Sequence, residues 1–395
     1  MNADTYREEM KRELQSILQY WMFNTPDEKQ GGFLGRIDEN DRPHPDAPKG
    51  LVLNSRILWS FSAAWRITGQ WIYRPVAKRA FDYLLEHFFD GQYGGVFWSL
   101  DAAGHPLNTR KQIYGQAFTL YSLSEYYRAT GDQAVLDMAI DLYRLIEEHS
   151  FDPTHDGYFE AFAQDWQPLE DLRLSEKDVN EAKTTNTHLH ILEAYTTLYA
   201  AWPDHQLGGK IRGLLELFAT RILDPATGHL ILFFTTDWQQ RSRLISYGHD
   251  IEAAWLLNEA ALALGDRGWT EKTSRLCLEM ADRTLEGLDK DGGLWYEKEE
   301  GRLIAEKHWW PQAEAMVGFL RAWSISGDHR WWDRSTAVWT FVKEHLRHPQ
   351  GKEWYWGVDA AGTPMMGQDK AGFWKCPYHN SRACMQILHT LEKIP

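Results

Sequence analysis

Two helical textures alternate along this chain. Segments such as ILWSFSAAW (57–65), IYGQAFTLYSLSEYY (113–127) and HDIEAAWLLNEAALAL (249–264) are apolar nearly all round, the pattern of a buried helix. Others, such as QAVLDMAIDLYRLIEEH (133–149), carry charge along one face and suit a helix against solvent. Gly69, Gly131, Gly265 and Gly327 stand where a buried pattern stops, and Asp132, Asp204, Asp266 and Asp328 where a charged one starts. Glycine ends a helix in a left-handed residue and Asp caps the next one. These signals predict helices over 4–22, 51–68, 71–88, 110–130, 132–149, 182–202, 205–222, 247–265, 269–287, 309–326, 329–347 and 377–393: twelve, in six antiparallel pairs.

Between the pairs a glycine–aromatic phrase recurs. It reads GGFLGRID from Gly31, YGGVFWSLD from Tyr93, DGYFEAF from Asp156, TGHLILFF from Thr227, DGGLWYEKE from Asp291 and GKEWYWGVD from Gly351. The starts lie about 60 to 70 residues apart, so one unit repeated six times fills the chain. Each phrase pairs a turn glycine with alternating apolar residues, the mark of a short strand or hairpin. The expected fold is all-α: an (α/α)6 barrel of six inner and six outer helices with short β-hairpins in the connecting loops, a single domain over 1–395. The charged stretch Ala163–Lys183 is expected to be a lid or rim loop.

In such a barrel the six inner N-termini ring one mouth. They carry Asn54 and Arg56; Tyr114 and Gln116; Asn186, His188 and His190; His249, Asp250 and Glu252; His308 to Trp310, Gln312 and Glu314; and Trp374, Lys375, Tyr378, His379, Asn380 and Arg382. Buried polar groups need partners, and a hydroxyl-rich ligand supplies them. Each of these residues also has an ordinary structural reading: a hydrogen-bonded core histidine, an internal Glu314–Arg382 ion pair, a packed tryptophan. His188 and His190 lie at i and i+2, on different helix faces, so no joint metal site is expected. Of Trp309 and Trp310, one is expected to face away. His249 and Glu252, at i and i+3, share a face.

Composition narrows the function. A net charge of −14 with no basic cluster argues against nucleic acid. Twenty tryptophans supply core area and flat faces for sugar rings. Three cysteines without a C-x-x-C spacing, a charged N-terminus and no long apolar run point to a reduced cytoplasmic protein without membrane contact. A monomer is compatible with this composition, which does not set the oligomeric state.

The segments NSRILWSFSAAW, NTHLHILEAYTTLY, SYGHDIEAAWLL, HWWPQAEAMVGFL and FWKCPYHNSRAC resemble the N-acylglucosamine 2-epimerase superfamily over essentially the whole chain. The resemblance implies an (α/α)6 barrel that acts without cofactor or metal on the reducing end of free sugars. It further implies inversion at C2 of the reducing-end glucose of cellobiose or a related β-1,4-linked disaccharide. His249 and His379 would be the acid–base pair. His190 would assist ring opening, Arg56 would hold the O1/O2 oxygens of an enolate-type intermediate, and Glu252 would orient His249. Tyr114, Asn186, Asp178 and Glu314 would bind substrate, with Trp310 and Trp374 stacked on its rings. Ser381 stands where many members have glycine. A monosaccharide 2-epimerase or aldose–ketose isomerase shares most of these motifs. A glycoside hydrolase on the same fold would instead need two carboxyls, from Asp178, Glu252 and Glu314. A non-catalytic sugar-binding barrel would need the tryptophans without the histidines.

Overall fold

The computed structural model describes residues 1–350 and 353–393. The first two residues of the sixth glycine phrase, Gly351 and Lys352, lie outside the described residues. The chain is mostly helical. Its α-helices are α1 (Ala3–Asn24), α2 (Leu51–Thr68), α3 (Arg74–Tyr83), α4 (Ile113–Thr130), α5 (Gln133–His149), α6 (Thr185–Ala201), α7 (His205–Leu217), α8 (Tyr247–Leu264), α9 (Arg267–Thr284), α10 (Trp309–Ser326), α11 (His329–Phe341) and α12 (Tyr378–Glu392). The punctuation acts as the sequence predicts. Gly69, Gly131, Gly265 and Gly327 end α2, α4, α8 and α10 with φ between 63° and 72°. Asp132, Asp204, Asp266 and Asp328 cap the helices that follow, each accepting from a backbone N–H of the first turn.

The even-numbered helices are buried along most of their length. α2 packs on α4, α4 on α6, α6 on α8, α8 on α10, α10 on α12, and α12 back on α2. Each also takes an outer partner: α3, α5, α7, α9 and α11 for α2 to α10, and α1 for α12. Apolar side chains from all twelve helices join one buried cluster. The expected outer helices 71–88, 205–222 and 329–347 are shorter as α-helices. Each closes in one wide π-turn that places Phe88, Ile222 or Leu346 in the core.

Apart from 106–108 and 302–304, which close local hairpins in the connecting loops as expected, the strands are seams between neighbouring repeats. Residues 49–50, just before α2, pair antiparallel with 99–100 of the next repeat. The same happens at 111–112 with 161–162, 183–184 with 233–234, 245–246 with 297–298, and 307–308 with 357–358. A bridge between Ile37 and Ala371 joins the last repeat to the first. Within each of the first five repeats the turn is closed by a single bridge, as in Phe89 to Val96. Every inner helix therefore starts beside a strand-like seam, and all six starts open on the same side. No helix among the described residues is long and apolar enough to cross a membrane.

Candidate active site

The polar residues at the inner-helix starts divide into two sets. One set holds the loops. Gln116 accepts from Val96 N (2.9 Å) and donates to Val96 O (2.8 Å), and Gln312 does the same to Leu294 (2.7 Å each). His188 Nε2 accepts from Tyr158 N at 2.9 Å, and Asp250 accepts from Leu230 N at 2.9 Å. All four are buried pins between a helix and the glycine turn of the preceding phrase. His188 must be neutral to accept, and burial pushes its pKa down to about 4. His190 turns the other way, to Glu193, so the H-x-H pair does not converge.

The second set sits two residues further along each helix: Arg56, Phe118, His190, Glu252, Glu314 and Arg382. They form a layer beneath a cavity of about 530 Å³. Arg56 is buried, donates to the Tyr114 hydroxyl at 2.7 Å, and lies 4.2 Å over the Phe118 ring. His190 Nδ1 meets Glu193 at 2.9 Å. Arg382 is the hub of the layer. It contacts Glu193, Glu252 (2.6 Å), Glu314 (2.7 Å) and the Tyr378 hydroxyl.

Above the hub stand two further histidines. His379 Nδ1 donates to Glu314 Oε1 at 2.6 Å, and His249 Nδ1 is held by Ser246 Oγ at 2.8 Å. Both rings line the cavity, each with Nδ1 taken by a protein partner. The Trp310 indole packs on both, 4.9 Å from the His249 ring and 5.7 Å from the His379 ring. Gly248 leaves it that room: a Cβ there would stand 2.5 Å from the indole. Burial pushes His249 down to about 3 and His379 well below the usual histidine range, the latter helped by the nearby cations Arg56 and Arg382. Burial raises Glu252 and Glu314, and their closeness to each other adds to the rise in Glu252.

Two expected roles change places here. Glu252 does not orient His249: its Oε1 is held by Arg382, which arrives from α12, while Ser246 takes the imidazole. Glu314 does not line the cavity. Its oxygens are taken by His379, Arg382 and the Trp255 indole (3.0 Å), so it is the carboxylate behind a histidine.

The other expected residues reach the cavity. Tyr114, Asn186, His190, Trp310 and Trp374 line it, as does Asp178 from the loop 172–181 that folds over the mouth. The Asp178 carboxylate also accepts from Ser175 N and Oγ, at 2.8 and 3.0 Å. Asn186 Oδ1, Arg56 Nε and Trp309 Nε1 are buried without a partner, groups that a hydroxylated ligand satisfies. Trp309 faces the cavity as well as Trp310, against expectation. At the first two positions of a helix that opens onto the cavity, neither ring has a preceding turn behind which to turn away. His308, expected at the mouth, lines the cavity, and Tyr296, Trp356 and Gln368 are lining residues that sequence reasoning missed. Tyr296 and Trp356 belong to the glycine phrases, and the alternation there marks the side chains that return to the helix mouth. Glu252, Glu314 and His379 present ligand-type atoms within 4.8 Å of one another. Arg382 already lies between the two carboxylates, and its charge opposes a metal ion there.

Residues 32–383 match the model of the N-acylglucosamine 2-epimerase (GlcNAc 2-epimerase) family. The chain belongs to that family, and with it to a class of sugar-epimerising enzymes. It is similar to the cellobiose 2-epimerase of Bacteroides fragilis, at 48% identity over 385 residues, 97% of this chain and 98% of the relative. Among solved structures it resembles cellobiose 2-epimerase from Bacillus thermoamylovorans, with a TM-score of 0.93 at 40% identity, covering 98% of this chain and 99% of that one. A D-mannose isomerase structure shares the fold, with a TM-score of 0.85 at 21% identity, covering 97% and 98%.

Proposed function

We propose that the chain is one (α/α)6-barrel domain that inverts C2 of the reducing-end glucose of cellobiose or a related β-1,4-linked disaccharide. The observation that carries the reading is the pair His249 and His379. They come from different inner helices, pack on one indole, and line one cavity together with Arg56.

The chemistry follows from these groups. The sugar ring opens first, which takes an acid and a base; His190, with Glu193 behind it, is placed for that step. A neutral imidazole then takes the C2 proton, and negative charge develops on O1. Arg56, fixed by Tyr114 and desolvated, stabilises that charge where it forms. The other histidine, which enters this step as an imidazolium stabilised by the adjacent enolate charge, returns a proton to the opposite face of C2; the first leaves as the imidazolium, and the two exchange roles in the reverse direction. Glu314 accepts from His379 Nδ1, fixes its tautomer and supports the imidazolium when it forms. Trp310 and Trp374 offer faces to the sugar rings, and Asn186 and Asp178 offer acceptors to hydroxyls. A reduced compartment such as the cytoplasm fits three buried, unpaired cysteines.

A hydrolase needs a free pair of carboxyls across the scissile bond; Glu252 and Glu314 are both held by Arg382. The deciding experiment is incubation with cellobiose and separation of products. Glucosyl-mannose is the expected product. A fructose-ended disaccharide as the major product would make the enzyme an isomerase, and free glucose would overturn the reading altogether.

A further inference from the structure

The buried cations of this chain are paired, with one exception. Lys49, Lys111, Lys183 and Lys307, each just before an inner helix, meet Asp27, Asp90, Asp152 and Asp289. Lys370 and Lys375 meet Asp41 and Glu353. Arg382 touches three carboxylates. Arg56 is just as buried, and among the described residues it touches none. Its terminal nitrogens meet the Tyr114 hydroxyl (2.7 Å) and the Cys376 thiol (3.8 Å). Its guanidinium lies over the rings of Phe118 (4.2 Å) and Tyr378 (4.8 Å), and its Nε has no partner. All of these neighbours are neutral. A buried charge without a counter-charge is costly, and this one lines the cavity. The missing carboxylate is therefore one that a ligand can bring.

We propose that the cavity floor binds the aldonate form of the sugar, in which C1 is a carboxylate, more tightly than uncharged forms, and that such an oxidised disaccharide inhibits the enzyme. The inference rests on the epimerase reading, which brings C1 and C2 of the reducing-end residue to Arg56. The Tyr114 ring that borders Arg56 lies 5.0 Å from the His190 ring, and the Tyr378 ring lies 4.9 Å from that of His379, so the unpaired cation stands among the acid–base groups. An open-chain aldonate cannot close to a hemiacetal, so it presents the form that the reaction must otherwise make. Its C1 is planar and its two oxygens share one negative charge, the charge that the enolate places on O1. A guanidinium receives such a group with parallel N–H bonds. The carboxylates of the layer beneath, Glu193, Glu252 and Glu314, are already drawn to Arg382, which offsets their repulsion of the ligand. The C2 proton of an aldonate lies beside a carboxylate instead of an aldehyde and is far less acidic. The ligand is therefore held without being turned over. An enzyme that oxidises the reducing-end carbon of the substrate to an acid thus produces an inhibitor of this one.

The test is calorimetric titration with the aldonate of cellobiose and with the matching alditol, the same open chain with an uncharged CH2OH at C1. The wild type is expected to bind the aldonate more tightly by about ten-fold or more, equivalent to about 1.4 kcal/mol. A smaller ratio in the wild type would overturn the proposal, and this arm needs no variant to fold. In Arg56→Gln, which keeps a polar group and removes the charge, the two ligands should bind alike. Cys376→Asp brings a carboxylate to the same guanidinium from within the protein and should abolish the preference as well. A preference that survives in either folded variant would show that another group holds the anion, and would equally overturn the assignment. With cellobiose as substrate, the aldonate is expected to inhibit the wild type competitively; inhibition no stronger than by the alditol would contradict the proposal. Titration needs no turnover, so a protein that prefers the aldonate through Arg56 but leaves cellobiose unchanged would uphold the anion site and fail the epimerase reading alone.

Discussion

His379 donates its Nδ1 proton to a carboxylate that was expected to bind substrate and is held by Arg382 and Trp255 as well. Glu314 thus governs both the tautomer and the charge tolerance of a histidine that burial keeps neutral. Replacing it with Gln preserves the shape and removes the charge. Glu314→Gln is expected to lower kcat about 10²-fold, within the range of general acid–base catalysis. KM should change little and the circular dichroism spectrum not at all; steady-state kinetics check this, and a loss confined to KM would contradict the assignment. Gly248 makes a second residue-scale case. A methyl group there meets Trp310 at 2.5 Å and Pro311 at 3.0 Å, so Gly248→Ala displaces the indole that packs on both histidines. It is expected to cut kcat/KM by about 10- to 100-fold, as a misplacement of this size does, in the same assay. The identity of the histidines was legible in the sequence because HDIE and YHNSR stand at equivalent helix starts. Their partners were not. The i, i+3 rule says that His249 and Glu252 share a face, but it is silent about Arg382, which arrives from α12 and takes the carboxylate first.

Among the elements, the ends of four inner helices and the starts of the outer helices that follow α4, α6, α8 and α10 were readable nearly to the residue because capping is local chemistry: a glycine in a left-handed residue, an Asp side chain on a first-turn N–H. The seams were not readable, since a two-residue strand exists only through its partner in the next repeat. The pins were visible as polar residues at the helix starts, but their role was not, because their partners are backbone atoms of a loop some twenty to thirty positions earlier. Gln116 shows what a pin contributes. Its amide satisfies both the N–H and the C=O of buried Val96. Gln116→Ala leaves both without a partner and is expected to destabilise the protein by about 2–4 kcal/mol. Urea denaturation followed by tryptophan fluorescence measures this, and Gln312→Ala, with the same geometry at Leu294, should cost a similar amount. A cost under about 0.5 kcal/mol at both would show that the loops are held by other contacts.

The whole molecule holds many ionisable groups in its interior, so its stability depends on pH through groups far from the surface. Two act in opposite directions. Glu160 lies buried between α5 and α6. It accepts from Thr184 N (2.8 Å) and meets the Thr187 hydroxyl (2.6 Å), so it fixes the start of the helix that carries Asn186 and His190. Burial pushes its pKa from 4.5 to about 8. Between those values the folded chain keeps a proton that the unfolded chain has released. Its contribution is therefore complete below pH 4.5 and lost as pH rises through 8. His188 is depressed from 6.5 to about 4. Between those values the unfolded chain binds the extra proton, so the contribution is complete above pH 6.5 and lost as pH falls through 4. Single substitutions separate the two. The melting temperature of Glu160→Gln minus that of the wild type should be constant below about pH 4.5, rise to about pH 8 and level off. For His188→Gln, which retains an acceptor for Tyr158 N, the difference should rise as pH falls from 6.5 to 4 and be constant above that range. A pH-independent difference in either variant would mean that the residue keeps its ordinary titration in the folded protein. The α6 start that orients Asn186 and His190 would then be held by hydrogen bonds to groups that titrate as they do in water.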